Sequence, residues 1–288
     1  MDGFYAAAAL LPFALRKTAL MMPEADKDAC EELRLRRGCV PAFSDGAGER
    51  PIPGAGPVTG ETVASVLQAA TQASLHAAVN ALRRGYVTAP GGVRVGVCGT
   101  GTPEGLRSFS SLSLRIPKEI RGCADGVYPA LFSGGAFCST LVLSPPGAGK
   151  TTLLRELVRL LSGDGVRVSL ADERGEVADA ESGESRFDVG RCTDVMTGVA
   201  KAEAVMMLLR AMNPQVVAVD EVTEPADARS LLSAAGCGAA LLATAHGADL
   251  EEVKRRPSMR CLLEADVFSR CVTIENRRGV RICRVNAL

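Results

Sequence analysis

Leu141-Val-Leu-Ser-Pro-Pro-Gly-Ala-Gly-Lys-Thr-Thr-Leu-Leu154 is the stretch from which the fold can be predicted. An apolar run at residues 139–143 enters a turn rich in Pro and Gly, and a helical pattern of leucines begins directly after it. Strand, tight loop and helix in this order are the context of a phosphate-binding loop. The residues predicted to hold nucleotide are Ser144, Pro145, Pro146, Gly147, Ala148, Gly149, Lys150, Thr151 and Thr152.

The residue types in this loop suit the phosphates of a nucleotide and their metal ion. Gly147 and Gly149 let the backbone approach phosphate oxygens and turn successive N–H groups toward them. The positive end of the following helix faces the same anion. Lys150 would reach the β- and γ-phosphates, and the Thr151 hydroxyl would ligate Mg²⁺. Ser144 stands where the full pattern begins with Gly, but the other residues of the pattern are intact.

Composition indicates a globular protein with more than one core. A chain of 288 residues is long enough for two domains. Its residues are 47% hydrophobic and 23% charged, as in a globular protein. Lys+Arg and Asp+Glu number 33 each, so no global field draws the chain to nucleic acid or anionic lipid. The 10 Cys include no C-x-x-C pair, which favours buried thiols in a reducing cytosol. The apolar run at residues 3–15 is too short to span a bilayer, and it follows Asp2 rather than a basic segment, unlike a signal peptide.

Two regions differ in their patterns of apolar residues. Residues 1–125 mix helical and strand patterns, which indicates a small α+β domain. Residues 126–288 alternate strands with helices, as a parallel sheet covered on both faces does. The elements predicted in the first region are helices at 3–15 and 62–84 (with His76 an ordinary helix residue), strands at 31–37 and 112–116, a hairpin at 85–98 that turns at Gly91-Gly92, and a loop at 41–60. Those of the second are strands at 139–143, 166–171, 216–219 and 239–244, helices at 150–162, 202–212 and 225–235, a helical stretch at 250–263 interrupted at Pro257, a loop at 172–201 and a final pair of strands joined at 276–279.

Acidic and histidine side chains follow the other predicted core strands. Asp220 and Glu221 come directly after one apolar strand, Glu173 follows a second, and His246 ends a third. Because ligands of open α/β sheets bind at the carboxyl ends of the strands, these side chains are expected beside the phosphate loop. Asp220 would hold Mg²⁺, and either Glu221 or Glu173 would align the attacking water; the sequence does not rank the two. His246 would sense the γ-phosphate through a hydrogen bond.

With these motifs in order, the chain resembles the secretion and pilus-motor ATPases and, more closely, the stage III sporulation protein AA family. The resemblance covers nearly the whole chain. It implies an α/β, RecA-like P-loop ATPase core with a smaller N-terminal α+β domain, using ATP and Mg²⁺. The matching segments are Glu32-Leu-Arg-Leu-Arg36, Gly85-Tyr-Val-Thr-Ala-Pro-Gly-Gly, Arg94-Val-Gly, Gly122-Cys-Ala-Asp125, residues 144–155, Asp172-Glu-Arg, Asp188-Val-Gly, Thr193-Asp-Val, Lys201-Ala-Glu and Thr244-Ala-His-Gly.

The resemblance also implies an assembly. It suggests a cytosolic homo-hexamer that energises membrane-embedded sporulation channel proteins from the mother cell, with a neighbouring subunit's arginine reaching each nucleotide. Candidates for that arginine are Arg83, Arg84 and Arg94. Val93 and Cys192 stand where the family usually has His and Arg, and Arg191 lies next to the second departure.

The function predicted from the sequence is therefore ATP hydrolysis coupled to motion on a membrane complex. A nucleic-acid motor is the first alternative, since the same core serves both. The balanced charge and 4% aromatic content speak against it, because strand tracking needs basic channels and stacking platforms. A scaffold that binds ATP without hydrolysing it is the second alternative, kept open by the departure at Cys192.

Overall fold

The computed structural model describes residues 3–74, 85–102, 105–181, 184–277 and 280–288, and the chain divides into two compact units. Unit 1 runs from Met1 to Lys118 and unit 2 from Glu119 to Leu288. The division falls after Lys118, whereas the sequence patterns put it near residue 125. In the part of the chain that the structure describes, no helix has the length and hydropathy needed to cross a bilayer.

Unit 1 is built on one six-stranded antiparallel sheet. Its described elements are α1 (Gly3–Ala9), α2 (Phe13–Leu20), α3 (Glu24–Ala29), β1 (Glu32–Arg36), β2 (Ala42–Asp45), β3 (Gly48–Pro51), α4 (Gly60–Ala70), β4 (Tyr86–Ala89), β5 (Val93–Thr102) and β6 (Gly105–Arg115). The strands lie in the order β3-β2-β1-β6-β5-β4. Strands β4 and β5 form the predicted hairpin, with Ala89 opposite Val93.

The core of unit 1 follows from alternation along its strands. Leu33 and Leu35 on β1 lie opposite Leu114 and Leu112 on β6, and all four are buried. Successive strand side chains point to opposite faces, so the charged residues between these leucines stay on the other face. Val63, Val66 and Ala70 of α4 belong to the same core.

Three predictions for unit 1 need correction or restriction. The single helix expected at 3–15 is two helices, because Pro12 cannot continue α1 and precedes the start of α2. The loop expected at 41–60 contains β2 and β3, whose hairpin turn closes when Asp45 accepts N–H bonds from Ala47 and Gly48. The helix expected at 62–84 begins at Gly60 under a Thr59 cap and ends at Ala70. Its predicted continuation over 75–84, with His76, lies outside the described residues.

Unit 2 contains a seven-stranded sheet with helices on both faces. Its described elements are a 3-10 helix (Tyr128–Leu131), β7 (Phe132–Ser133), β8 (Ala136–Phe137), β9 (Thr140–Ser144), α5 (Lys150–Gly163), β10 (Val168–Asp172), β11 (Ala180–Glu181), β12 (Glu184–Ser185), β13 (Thr193–Thr197), α6 (Lys201–Met212), β14 (Val216–Val219), α7 (Pro225–Gly236), β15 (Ala240–His246), α8 (Leu250–Lys254), α9 (Pro257–Glu264), β16 (Arg270–Arg277) and β17 (Val280–Ala287). The order in the sheet is β13-β10-β14-β15-β9-β16-β17. All neighbours are parallel except β16 and β17, which form an antiparallel hairpin.

Two cores cover the two faces of this sheet. Leu141 and Leu143 of β9 pack in the core formed with α6, α7 and α9, while Val142 between them packs in the core formed with α5. A strand buried on both sides has no polar face, which is why the sheet strands read as continuous apolar runs. Their polar residues are therefore concentrated at the strand ends.

The predicted core elements of unit 2 are confirmed, with one exception. The stretch expected to be loop at 172–201 includes β13, which adds a parallel edge strand beside β10. Gly190 lets the chain enter this strand closely packed on α5. It has φ +83°, and a Cβ built on it would lie 2.4 Å from the Ser162 Cβ. The Cys192 N–H donates to the Ser162 Oγ at 2.6 Å, so Cys192, where the chain departs from the resemblance, lies on a segment held by its backbone.

Candidate functional site

The predicted site residues of unit 2 come together at the carboxyl edge of its sheet. The loop after β9, the first residues after β14 and the end of β15 are adjacent there, because these three strands are neighbours. The register sets Ser144 of β9 opposite His246 of β15. Parallel strands all end at the same edge, which brings residues far apart in sequence to one crevice.

The phosphate loop has the backbone that its glycines predict. Gly147 and Gly149 have φ of +75° and +100°, a region that residues with a Cβ rarely adopt. Gly149 precedes the first residue of α5, so the free N–H groups of that helix open toward the loop. Ser144, the departure from the usual Gly, is buried and its hydroxyl donates to the Pro145 carbonyl at 2.9 Å. Its φ is not in the positive region, so this position does not need glycine.

Lys150 is buried and directed at the end of β15. Its ammonium lies 2.7 Å from Nδ1 of His246 and 3.4 Å from the Ser144 carbonyl oxygen. Burial lowers the pKa of Lys150, while the carboxylates of Asp220 and Glu221 act in the opposite direction. Lysine has only donors, so the His246 Nδ1 accepts and the ring hydrogen is assigned to Nε2.

Asp220 connects the phosphate loop to β15. One carboxylate oxygen accepts the Thr151 hydroxyl at 2.8 Å, and the other accepts the Thr244 hydroxyl at 2.7 Å. Among the described residues, no group of three or more His, Cys, Asp or Glu side chains forms a metal site on its own. A hydroxyl and a carboxylate beside a phosphate loop nevertheless fit Mg²⁺, which takes few protein ligands and completes its shell with water and phosphate oxygens.

Glu221 is held through its backbone N–H and through its carboxylate. Its φ is +53°, a left-handed conformation that is unusual for a residue with a side chain. The Glu221 N–H donates to the Thr244 hydroxyl oxygen at 2.8 Å, and its carboxylate lies 3.2 Å from Nε2 of His246. Lys150, His246 and Glu221 therefore form one chain of polar contacts.

Glu173 belongs to the same crevice and begins a loop that is held by hydrogen bonds to Asp172. Asp172 is buried and accepts the N–H groups of residues 176, 177 and 178 at 2.8–3.0 Å. Burial raises the pKa of Asp172, while these three N–H groups oppose that change. Arg155 of α5 donates to the carbonyls of Glu176 and Val177 from the other side. Asp172 thus holds the loop that carries Glu173, rather than facing solvent.

A cavity of about 160 Å³ lies between the two candidate water-aligning residues. Its lining includes Glu173 and Glu221 together with Asp220, Lys201 and Asp227. Both glutamates therefore line one cavity with room for water, and Asp220, which lines it too, contacts Thr151 of the phosphate loop. The geometry is that of a polar chamber beside a phosphate site.

Three residues of this site were not assigned a role from the sequence. Thr244 looks like an ordinary strand residue, although its hydroxyl joins Asp220 to Glu221. Lys201 appeared only within a segment of the family resemblance. Arg281 of β17 packs on the phosphate loop, since a Cβ built on Gly149 would lie 3.1–3.2 Å from its guanidinium. Only strand order could have revealed these contacts.

The arginines predicted to act across subunits lie in unit 1. Arg83 and Arg84 are outside the described residues. The Arg94 guanidinium stacks 3.9 Å from the centroid of the Tyr86 ring. Val93, the other departure from the family, is buried in the core of unit 1.

Comparisons with known proteins agree with this architecture. The family described as "Sporulation stage III, protein AA" matches residues 6–285. The Stage III sporulation protein AA of Bacillus subtilis (strain 168) is 32% identical over 290 residues, covering 94% of this chain and 91% of that protein. The ATPase DotB of Legionella pneumophila has a TM-score of 0.63 at 14% identity, covering 96% of this chain and 80% of the DotB chain. The pilus retraction motor PilT, solved with bound ADP, has a TM-score of 0.64 at 17% identity, covering 92% of this chain and 82% of that chain. The predicted fold class, a RecA-like P-loop fold, is confirmed.

Proposed function

Because the chain belongs to the Sporulation stage III, protein AA family, we propose that it is an ATPase that converts MgATP and water to ADP and phosphate. One observation carries the proposal. Lys150 and Thr151 of the phosphate loop contact His246 and Asp220, which follow two neighbouring strands. A fold alone does not require that pairing. The likeness to PilT, which was solved with ADP, supports an adenine nucleotide.

Phosphate binding falls to the loop and to one ammonium group. The N–H groups over Gly147–Thr152 and the start of α5 bind the phosphate oxygens, with Ser144, Pro145, Pro146 and Ala148 completing the loop. Lys150 leaves the Nδ1 of His246 to meet the β- and γ-phosphates. Its cationic form is required there, because a neutral amine would bring no positive charge to balance the phosphate oxygens.

Mg²⁺ would be held by the Thr151 hydroxyl and, through water, by Asp220. When bound, it neutralises charge that develops on the phosphate oxygens. The hydroxyl of Thr244 keeps Asp220 in place by occupying the carboxylate oxygen that Thr151 does not use.

Glu221 aligns the attacking water in this proposal, and Glu173 is the second carboxylate of the chamber. Glu221 directly follows the metal-binding Asp220 and contacts Nε2 of His246. His246 therefore connects the Lys150 ammonium to Glu221 until that ammonium turns to the γ-phosphate. Such an arrangement lets the site sense whether the γ-phosphate is present.

The wider setting is part of the same proposal. We expect a homo-hexamer of AAA+-like motor subunits that works in the cytosol on membrane-embedded sporulation channel proteins. Unit 1 would be the N-terminal domain and unit 2 the ATPase domain. Arg94 would reach the nucleotide of a neighbouring subunit. Arg83 and Arg84 are the other candidates for this role.

The test is phosphate release by the purified chain with MgATP, measured beside native mass and ATP binding. We expect release by the wild type and none by Lys150→Ala, with Lys254→Ala as the matched control. Lys254 is an exposed lysine of α8 that pairs with Glu251. Equal release by the Lys150→Ala variant would refute the site. ATP binding without ADP formation by the wild type would favour the non-hydrolysing scaffold.

A further inference from the structure

Lys201 is a buried lysine at the start of α6, only 7% exposed. Its ammonium donates to the backbone carbonyl of Glu221 at 2.5 Å and lies 3.6 Å from a carboxylate oxygen of Asp227. A buried ammonium is costly unless its donors are used. Here the shorter contact goes to the residue that the proposed mechanism uses to align water.

Glu221 needs such support because of its backbone. A left-handed φ of +53° is unfavourable for a residue with a Cβ and persists only where neighbours impose it. Thr244 fixes the N–H of Glu221, and Lys201 fixes its carbonyl. These two bonds together set the direction in which the Glu221 side chain leaves the backbone.

The backbone of Lys201 serves the other acid of the chamber. Its N–H donates to a carboxylate oxygen of Glu173 at 3.3 Å. This N–H is one of the free donors at the beginning of the 12-residue helix α6. One residue thus contacts both glutamates, through different atoms.

Asp227 does not by itself explain why a lysine is buried here. Its carboxylate already accepts the N–H groups of Thr223 and Glu224 at 3.1 and 3.0 Å. These bonds close the N-terminus of α7. Asp227 is therefore hydrogen-bonded without Lys201, whereas the Glu221 carbonyl receives its bond from the lysine.

We propose that Lys201 is a positioning residue: its ammonium holds Glu221 in the orientation that aligns water, and its N–H holds Glu173. The inference rests on the proposed ATPase function. It also separates the two acids, since a change of the side chain removes the bond to Glu221 and keeps the backbone bond to Glu173.

The experiment compares Lys201→Met with wild type in the full chain. We expect kcat to fall about 10²-fold, because misplacing a reacting group by an ångström has an effect of that size. The KM for MgATP and the affinity for ATP should stay within about twofold, since binding energy shared by ground and transition states is unchanged. Lys27→Met is the matched control: Lys27 is a second buried lysine, in unit 1, where it pairs with Glu24, so the same substitution there should leave kcat near wild type.

A double-mutant cycle with Glu221→Gln supplies the second readout. If Lys201 acts through Glu221, Lys201→Met should change the residual rate of the Glu221→Gln variant by less than about threefold. A merely structural lysine would give the full loss in both backgrounds. Should the Met variant fail to unfold cooperatively, Lys201→Gln replaces it, with the same loss of kcat expected.

Three results would overturn the inference. These are a wild-type kcat in the Lys201→Met or Lys201→Gln variant, an equal loss of kcat in Lys27→Met, and additive losses in the cycle. Each leaves the proposed ATPase function intact, because wild-type turnover is measured in the same series. Absence of wild-type turnover would instead remove the proposed function and, with it, the inference.

Discussion

Replacing Thr244 by valine tests the bond network between β15 and the residues after β14. Valine has nearly the same shape as threonine, so the change removes the hydroxyl and leaves the packing. Thr244 is fully buried. The variant loses a charge-assisted bond to Asp220 and the acceptor for the Glu221 N–H.

The expected loss follows from these two bonds. A hydrogen bond to a charged group contributes about 1.5–3 kcal/mol, and a backbone donor left without a partner costs about 1–3 kcal/mol more when buried. Because Glu221 is partly exposed, we take about 1–2 kcal/mol for its unpartnered N–H group. The free energy of unfolding of unit 2 should therefore fall by about 2.5–5 kcal/mol. Hydrolysis should fall at least about tenfold, because Glu221 loses one of its backbone restraints.

Thr140→Val is the matched control. Thr140 is also fully buried, on the neighbouring β9, and its hydroxyl donates to the neutral carbonyl of Cys138 at 2.7 Å. Its loss should cost about 1 kcal/mol and leave hydrolysis unchanged. Urea unfolding of both variants measures the free energy of unfolding. Because Thr140 lies in unit 2, the transition that shifts in Thr140→Val is the unfolding of that unit. If Thr244→Val is no less stable than Thr140→Val, the network does not hold Asp220 and Glu221 as described.

Three further predictions concern the same unit. Arg281→Ala should weaken ATP binding about tenfold, because a guanidinium on the phosphate loop contributes a charge-assisted bond. The control Arg284→Ala removes an ion pair with Glu275 on the same hairpin and should leave ATP binding unchanged. Equal weakening by both variants would contradict the role of Arg281. Gly190→Ala should lower the free energy of unfolding by about 3 kcal/mol, because a methyl group there meets Ser162 and φ is positive; unchanged stability in urea would show that the segment can move away. Burial lowers the pKa of Lys150, so its ammonium is lost at a lower pH than usual and ATP affinity should decline before the ordinary lysine value of about 10.4. Titration of ATP binding against pH checks this, with Lys150→Arg expected to move the decline upward, and an affinity that stays level to that value would be inconsistent with the buried ammonium.

The sequence is informative about the site where the signal is local. The order of strand, glycine turn and helix gives the phosphate loop, since each part depends on neighbours in the chain. The positions of Asp220 and His246 at strand ends also follow from local patterns. These residues could be expected at one edge because every parallel strand ends there.

The contacts within the site depend on strand order, which no local pattern contains. Lys150 meets His246 because β9 and β15 are neighbours with Ser144 opposite His246. Arg281 reaches Gly149 only because the hairpin of β16 and β17 adds to the other side of β9. Nothing near Arg281 in the sequence marks it as different from the surrounding arginines.

Buried polar groups are the other limit of the sequence. Asp172 and Lys201 belong to a stretch predicted as loop because it has many charges and few apolar residues. The structure buries both, with backbone groups as their partners. Composition alone cannot separate a charge facing water from a charge satisfied by main-chain atoms.

The placement of β16 against β9 has a consequence for how the protein is made. Arg270 pairs with Thr140, so the strand that leads into the phosphate loop lacks one of its neighbours until a much later part of the chain is synthesised. At roughly 5–20 residues per second, the interval on the ribosome is on the order of ten seconds. During that time a nascent chain has the glycine turn but an open strand edge beside it. A chain that stops before residue 270 would therefore expose that edge to aggregation or proteolysis.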